Sequence, residues 1–146
     1  MTLYNNQNVM QYLARRPFGT INQVQEHLQS IISDYATHGY SFWAVTDRLT
    51  GQLIGRCGLL AQDVDGRAEV EIAYLLGRDW WGQGYATEAA HACLAYGQQT
   101  WKLSRVIALI HPANRASIRA AHKLGLSFEK RVTFHGYERE CYAKHL

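Results

Sequence analysis

The sequence predicts one α/β domain built on a mixed, mostly antiparallel sheet, and three observations carry that prediction. The 146 residues have an ordinary globular composition, 47% hydrophobic and 18% charged, with only two prolines and no repeat or low-complexity tract. Nothing marks an internal boundary, so residues 1–146 are expected to share one core. Three strand-like runs lie close together, joined by turns short enough to favour antiparallel neighbours. A strand, a helix and another strand then follow in order, and such a crossover requires a parallel pair within the sheet.

Each element has its own signal. Residues 20–38 place Ile21, Val24, Leu28, Ile31, Ile32 and Tyr35 at helical spacing and stop at Gly39, which predicts an amphipathic helix with a glycine end. Strands are expected over 40–46, 53–60 and 68–76, separated by the turn residues Leu49, Thr50 and Gly51 and then by Asp63, Val64, Asp65 and Gly66. Residues 87–99 read as a helix whose Ala89, Ala90, Cys93, Leu94 and Gly97 form a small-residue face able to approach a sheet closely. A strand over 105–111 follows. Asn114 is placed to cap a second helix ending at Leu124 and Gly125, and strands over 128–133 and 137–143 close the chain.

Bulk properties exclude several classes of function. No segment approaches the roughly 18 unbroken apolar residues that a membrane span needs. The opening MTLYNNQNVMQYL lacks the basic-then-apolar order of a secretory signal, so a cytoplasmic location is expected. Cys57, Cys93 and Cys141 are odd in number and far apart, which fits a reducing compartment, gives neither a disulfide framework nor a metal knuckle, and reads as small apolar packing. His111 and His122 do not form a ligand pair with a third group, so no metal is expected. The net charge of +3 is spread over Arg15, Arg16, Arg115, Arg119, Lys130 and Arg131 without a long block, which implies no nucleic-acid partner but suits an anionic small ligand.

The stretch RDWWGQGYATEAA, residues 78–90, concentrates the functional signal. A P-loop would use Gly77 and Gly82 at the right spacing, but it needs lysine and a hydroxyl residue where Gln83 and Gly84 stand. A dinucleotide fingerprint begins acceptably at Gly82 and Gly84 but meets Thr87 at its third small position and has no acidic partner further on. What remains is a strand end, a loop of small residues and a helix start whose first amides lack intrahelical partners. Glycine lets backbone approach a ligand closely, and the helix dipole adds positive character, so the loop is either an anion cradle or a tight turn into a helix.

WGQGYATEA, residues 81–89, resembles the pyrophosphate-binding loop of the GNAT superfamily of N-acetyltransferases, with Gly84 and Ala86 in its small positions. Trp81 stands where glutamine or arginine is usual, which is similar to the branch that acetylates ribosomal-protein N-termini. GYSFWAV, EIAYLL and HPANRASIRAAHKLGLSFE fit the same branch, and the likeness runs from about Val9 onward. It implies a single-domain fold with helices on both sheet faces and acetyl-CoA as co-substrate. Members of that branch usually open with a strand before a segment like VMQYLARRPF. Here that strand is expected to be missing, through a mis-called start or a shortened form, leaving the strand over 40–46 at a sheet edge open to pairing as a homodimer.

The resemblance also implies roles. Backbone groups of Tyr74, Leu75 and Leu76 would meet the pantetheine arm and thioester, while Gly82, Gln83, Gly84, Tyr85, Ala86 and Thr87 would hold the diphosphate. Asn114 matches a cofactor-contacting asparagine and reads equally as a helix cap. Many members carry a tyrosine acid where this chain has Ala120, so Ser117 is the candidate partner of the departing sulfur. Glu71, a carboxylate inside an apolar strand, is the candidate base or a paired structural residue, and alternation places Glu69 on its face. Trp80, Trp81 and Tyr85 flank the cofactor or pack as core. Residues 133–142, the early helix and residues 15–18 are expected to line the acceptor side. The expected activity is transfer of acetyl to a primary amine, on a protein N-terminus or a small molecule. The alternatives are a non-catalytic CoA-binding or regulatory module and a nucleotide-binding domain.

Overall fold

The computed structural model of the chain describes residues 2–13 and 18–146. Two short helices, α1 (Thr2–Asn5) and α2 (Gln7–Met10), precede the long helix α3 (Ile21–His38). Three strands follow, β1 (Phe42–Thr46), β2 (Leu53–Val64) and β3 (Arg67–Leu76). Helix α4 (Tyr85–Trp101), strand β4 (Arg105–Ile110), helix α5 (Arg115–Lys123) and strands β5 (Ser127–Phe134) and β6 (Tyr137–His145) complete the chain. The expected order of long elements is thus present, with boundaries shifted by a few residues. The short helices α1 and α2 carry no period long enough to announce them in sequence.

Local chemistry explains the ends. Thr20 caps α3 in a reciprocal box, its hydroxyl accepting from the Gln23 amide at 3.3 Å while Gln23 Oε1 accepts from the Thr20 amide at 3.2 Å. Gly39 ends the helix in the left-handed region at φ 81°. Asn114 caps α5 by accepting from the Ser117 amide at 3.1 Å.

The six strands run β1-β2-β3-β4-β6-β5, with β1 and β5 at the edges. β1, β2 and β3 form an antiparallel meander, β3 and β4 are the parallel pair, and β4, β6 and β5 are antiparallel again. On one face α4 and α5 cover a core of Leu59, Ile72, Ala90, Leu94, Val106, Ala108 and Leu124. The small-residue face of α4 acts as expected: a Cβ on Gly97 would lie 2.6 Å from Leu59 Cδ1, so glycine allows this approach without displacing Leu59. On the other face Val9 and Met10 pack on Leu75, and the Arg56 guanidinium stacks over the Tyr4 and Phe42 rings. Among the described residues no helix is long and apolar enough to cross a membrane.

Candidate active site

The parallel pair is the origin of the site. β3 and β4 share a single registered position, Glu71 opposite Ile107, and beyond it the strands diverge. A cleft of about 680 Å³ opens there, lined by residues 71–76 of β3 and 108–111 at the end of β4. Ligand clefts form readily where neighbouring parallel strands lead to opposite sides of a sheet. Trp81 fixes one margin, its indole Nε1–H donating to the Leu76 carbonyl at 2.8 Å.

The loop after β3 reaches this cleft through a 3-10 turn, Arg78–Trp80, and two left-handed glycines, Gly82 at φ 75° and Gly84 at φ 88°. Helix α4 starts on Gly84 with no side-chain cap, in contrast to α3 and α5. Its first residues, Tyr85, Ala86 and Thr87, line the cleft together with Gly82 and Gly84. A Cβ on Gly84 would meet no atom within 4 Å, so packing does not demand glycine there. The backbone conformation does, and the first turn of α4, whose amides have no side-chain cap, lines the cleft. Helix α5 supplies the facing wall with Asn114, Ser117, Arg115, Arg119 and Lys123, and those three cations oppose an anion-seeking helix start. An extended ligand ending in phosphates fits this combination of uncapped amides, basic wall and narrow strand gap.

At the closed end lies Glu71. Burial pushes its carboxyl up to about 7, against the opposing influence of a 2.7 Å hydrogen bond from Gln62 Nε2, one from the Leu109 amide, and the charges of Arg139 and Arg56. Glu69, on the same face, does not line the cleft: it is tied by Arg105 at 3.1 Å and Arg67 at 3.3 Å. Tyr74 hydroxyl donates to the Ser117 carbonyl at 3.2 Å and so links β3 to α5 across the cleft, with burial pushing its phenol up to about 12.

The near wall departs from expectation. Neither the early helix α3 nor residues 133–142 line the cleft; Asn8, Val9, Gln11, Tyr12 and Leu13 do. The tail contributes indirectly through Arg139, buried at 4% exposure, whose Nη2 donates to the Tyr12 carbonyl at 3.4 Å. Residues 15–17, also expected there, lie outside the described residues, while Phe18 packs its ring on Tyr4 and His27. Gln83 is the one residue of the expected loop set that does not line the cleft, because its side chain turns to donate to the Asp79 carbonyl at 2.8 Å. Trp80, Trp81 and Tyr85 all line it, with the Trp80 and Tyr85 rings edge to face at 5.6 Å.

His111, a lone histidine in the sequence, lies in the cleft with its ring 5.3 Å from that of Tyr12. Its Nδ1 accepts from the Ala113 amide at 3.0 Å, so in the neutral ring the proton sits on Nε2. Its place at the end of β4, three residues before Asn114, was the available signal; only the strand divergence reveals what it faces.

Residues 1–127 match the acetyltransferase (GNAT) domain family. The chain is 36% identical over 130 residues to the uncharacterized protein YkkB of Bacillus subtilis (strain 168), covering 89% of this chain and 74% of that one. It shares its fold, at a TM-score of 0.82 and 16% identity, with the Salmonella typhimurium acetyltransferase that modifies the N-terminal serine of ribosomal protein L7/L12, over 99% of this chain and 85% of the other. It is similar in the same way to spermidine N-acetyltransferase from Vibrio cholerae in complex with CoA and spermine, with a TM-score of 0.77, 17% identity and coverage of 98% and 85%. With a strand gap, an uncapped helix start and a family match over most of its length, this chain belongs to the GNAT acetyltransferases.

Proposed function

We propose that the chain moves an acetyl group from acetyl-CoA to a primary amine by direct transfer within the cleft between β3 and β4. The observation that carries this reading is the uncapped start of α4 opening onto the same cleft as Glu71. When bound, acetyl-CoA supplies an acyl group activated as a thioester. Amides from 82–87 hold its diphosphate, aided by Arg115, Arg119 and Lys123, and Asn114 and the strand edge at Tyr74, Leu75 and Leu76 orient its arm.

An amine attacks only as the free base. Glu71, with its carboxyl near 7, takes that proton near neutral pH, directly or through water. The new bond joins amine nitrogen to acyl carbon, the carbon–sulfur bond breaks, and the sulfur leaves as a thiolate. Ala120 offers no proton there, so Ser117 hydroxyl and His111 Nε2–H are the hydrogen-bond donors assigned to the sulfur side. The acceptor enters past residues 8–13, which would encode its choice. Titrating free thiol after mixing protein, acetyl-CoA and a panel of peptide N-termini and small amines tests the proposal. Amine-dependent release is expected; background release across the panel despite CoA binding would identify a non-catalytic CoA-binding module instead.

A further inference from the structure

Away from the cleft, the sheet face under α4 brings together two of the chain's three cysteines. Cys57 lies on β2 and Cys93 on α4, and their sulfurs are 3.6 Å apart although 36 residues separate them in sequence. Both line an apolar groove of about 480 Å³ running between β1 and α4, walled by Trp43, Ala89, Ala92 and Tyr96. Cys57 is 1% exposed, whereas Cys93 is half-buried at the groove. The small side chains of Ala89 and Ala92 leave the gap that a larger pair would close, so a molecule the size of peroxide has a path to the sulfurs.

We propose that Cys57 and Cys93 form a redox-active dithiol that closes to a reversible intramolecular disulfide when the protein meets hydrogen peroxide. The separation is van der Waals contact, and a disulfide at about 2.05 Å needs the sulfurs to close by only about 1.5 Å. Their roles differ by environment. In the neutral pair the Cys93 thiol donates to Cys57 Sγ; once Cys93 ionises, the charge rests on the more accessible sulfur and buried Cys57, which keeps its proton, donates to it. That hydrogen bond lowers the Cys93 thiol from its ordinary range, while the same bond and burial push Cys57 up.

The Cys93 thiolate attacks one peroxide oxygen, the O–O bond breaks, and the departing hydroxide takes a proton to leave as water. The resulting sulfenic acid is then attacked at sulfur by Cys57. The S–S bond forms, the S–O bond breaks, and the hydroxide lost takes the Cys57 proton as a second water. Two thiols are oxidised by one peroxide. Cys141 cannot compete, because it is buried in the cluster with Val64, Ile107 and Val132 on the opposite face of the sheet. The link would join the strand paired to Tyr74 with the helix that begins just after Gly84.

The test is a count of free thiols by alkylation under denaturing conditions after treating the folded protein with hydrogen peroxide. The expected result is a fall from three to one, restored to three by dithiothreitol, with a non-reduced peptide map joining the peptides of Cys57 and Cys93 and no change in chain size on a non-reducing gel. Cys141→Ala, which leaves the pair intact, should still form the link, and Cys93→Ala should not form any. Three free thiols after treatment would overturn the proposal, as would a link through Cys141, a link between chains, or overoxidation of Cys93 with Cys57 still free.

Discussion

Glu71→Gln tests the electrostatics of the site without any assumption about substrate. A carboxyl whose ordinary value is 4.5 titrates near 7 in the folded chain because burial disfavours its charge. The folded state therefore holds this proton more tightly than the unfolded one, so the group favours folding below about 4.5. That advantage is lost as pH rises through 7. The gap corresponds to a ceiling of about 3 kcal/mol, and partial exposure of the residue to the cleft lowers it to about 2. Glutamine keeps the shape and still accepts from Gln62, but it does not ionise. Urea unfolding at pH 5 and pH 8 should show Glu71→Gln gaining about 2 kcal/mol on the native chain between the two pH values. A difference between variant and native chain that is equal at both pH values would refute the burial argument. In the amine assay the same variant should lose rate most at pH values where the acceptor is still largely ammonium, as a lost base requires.

Three further outcomes follow from the geometry. Gly84→Val forces a β-branched residue to φ 88° and puts its side chain into the loop. CoA binding by calorimetry should be abolished, while Gly66→Ala, at φ 76° in open space away from the cleft, should cost about 1 kcal/mol of stability and leave binding intact. Arg105→Met removes the cation shared by Glu69 and Glu129 and leaves Glu69, whose side chain is only 8% exposed, to the solvent-exposed Arg67; chemical denaturation should show a loss of about 2 kcal/mol. Trp81→Phe removes the 2.8 Å bond to the Leu76 carbonyl, and a loss of about 1 kcal/mol with weakened CoA affinity is expected; unchanged affinity would show that this margin of the cleft holds without it.

Most of the architecture was legible because it is local. The glycine at 39, the cap at 114, the alternating strands and the crossover all act over a few residues, so their signals are contiguous in the chain. The missed helices α1 and α2 are a single turn each and pack on Leu75 of β3, which the chain supplies far downstream. The site was legible in a different way. The loop at 82–87, Asn114 and Ser117 could be named as candidates through the family pattern and Glu71 as a carboxylate inside an apolar strand, but the wall of the cleft at residues 8–13 could not. The lining of the cleft by Asn8, Val9, Gln11, Tyr12 and Leu13, with the His111 ring tilted against that of Tyr12, depends on how the amino-terminal segment lies across the sheet.

By itself the sequence determined the order of the long elements, the parallel pair, the glycine loop and the family, since each is written in residue type and spacing. Only the tertiary structure decided that Glu71 lines the cleft while Glu69, two residues away on the same face, is bound up by Arg105. It alone decided that Cys57 and Cys93 meet beneath α4 while Cys141 lies on the opposite face. The physical reason is the same in each case: burial and partnership come from side chains distant in sequence, and chain order does not record which of them the packed sheet will bring within a few ångströms.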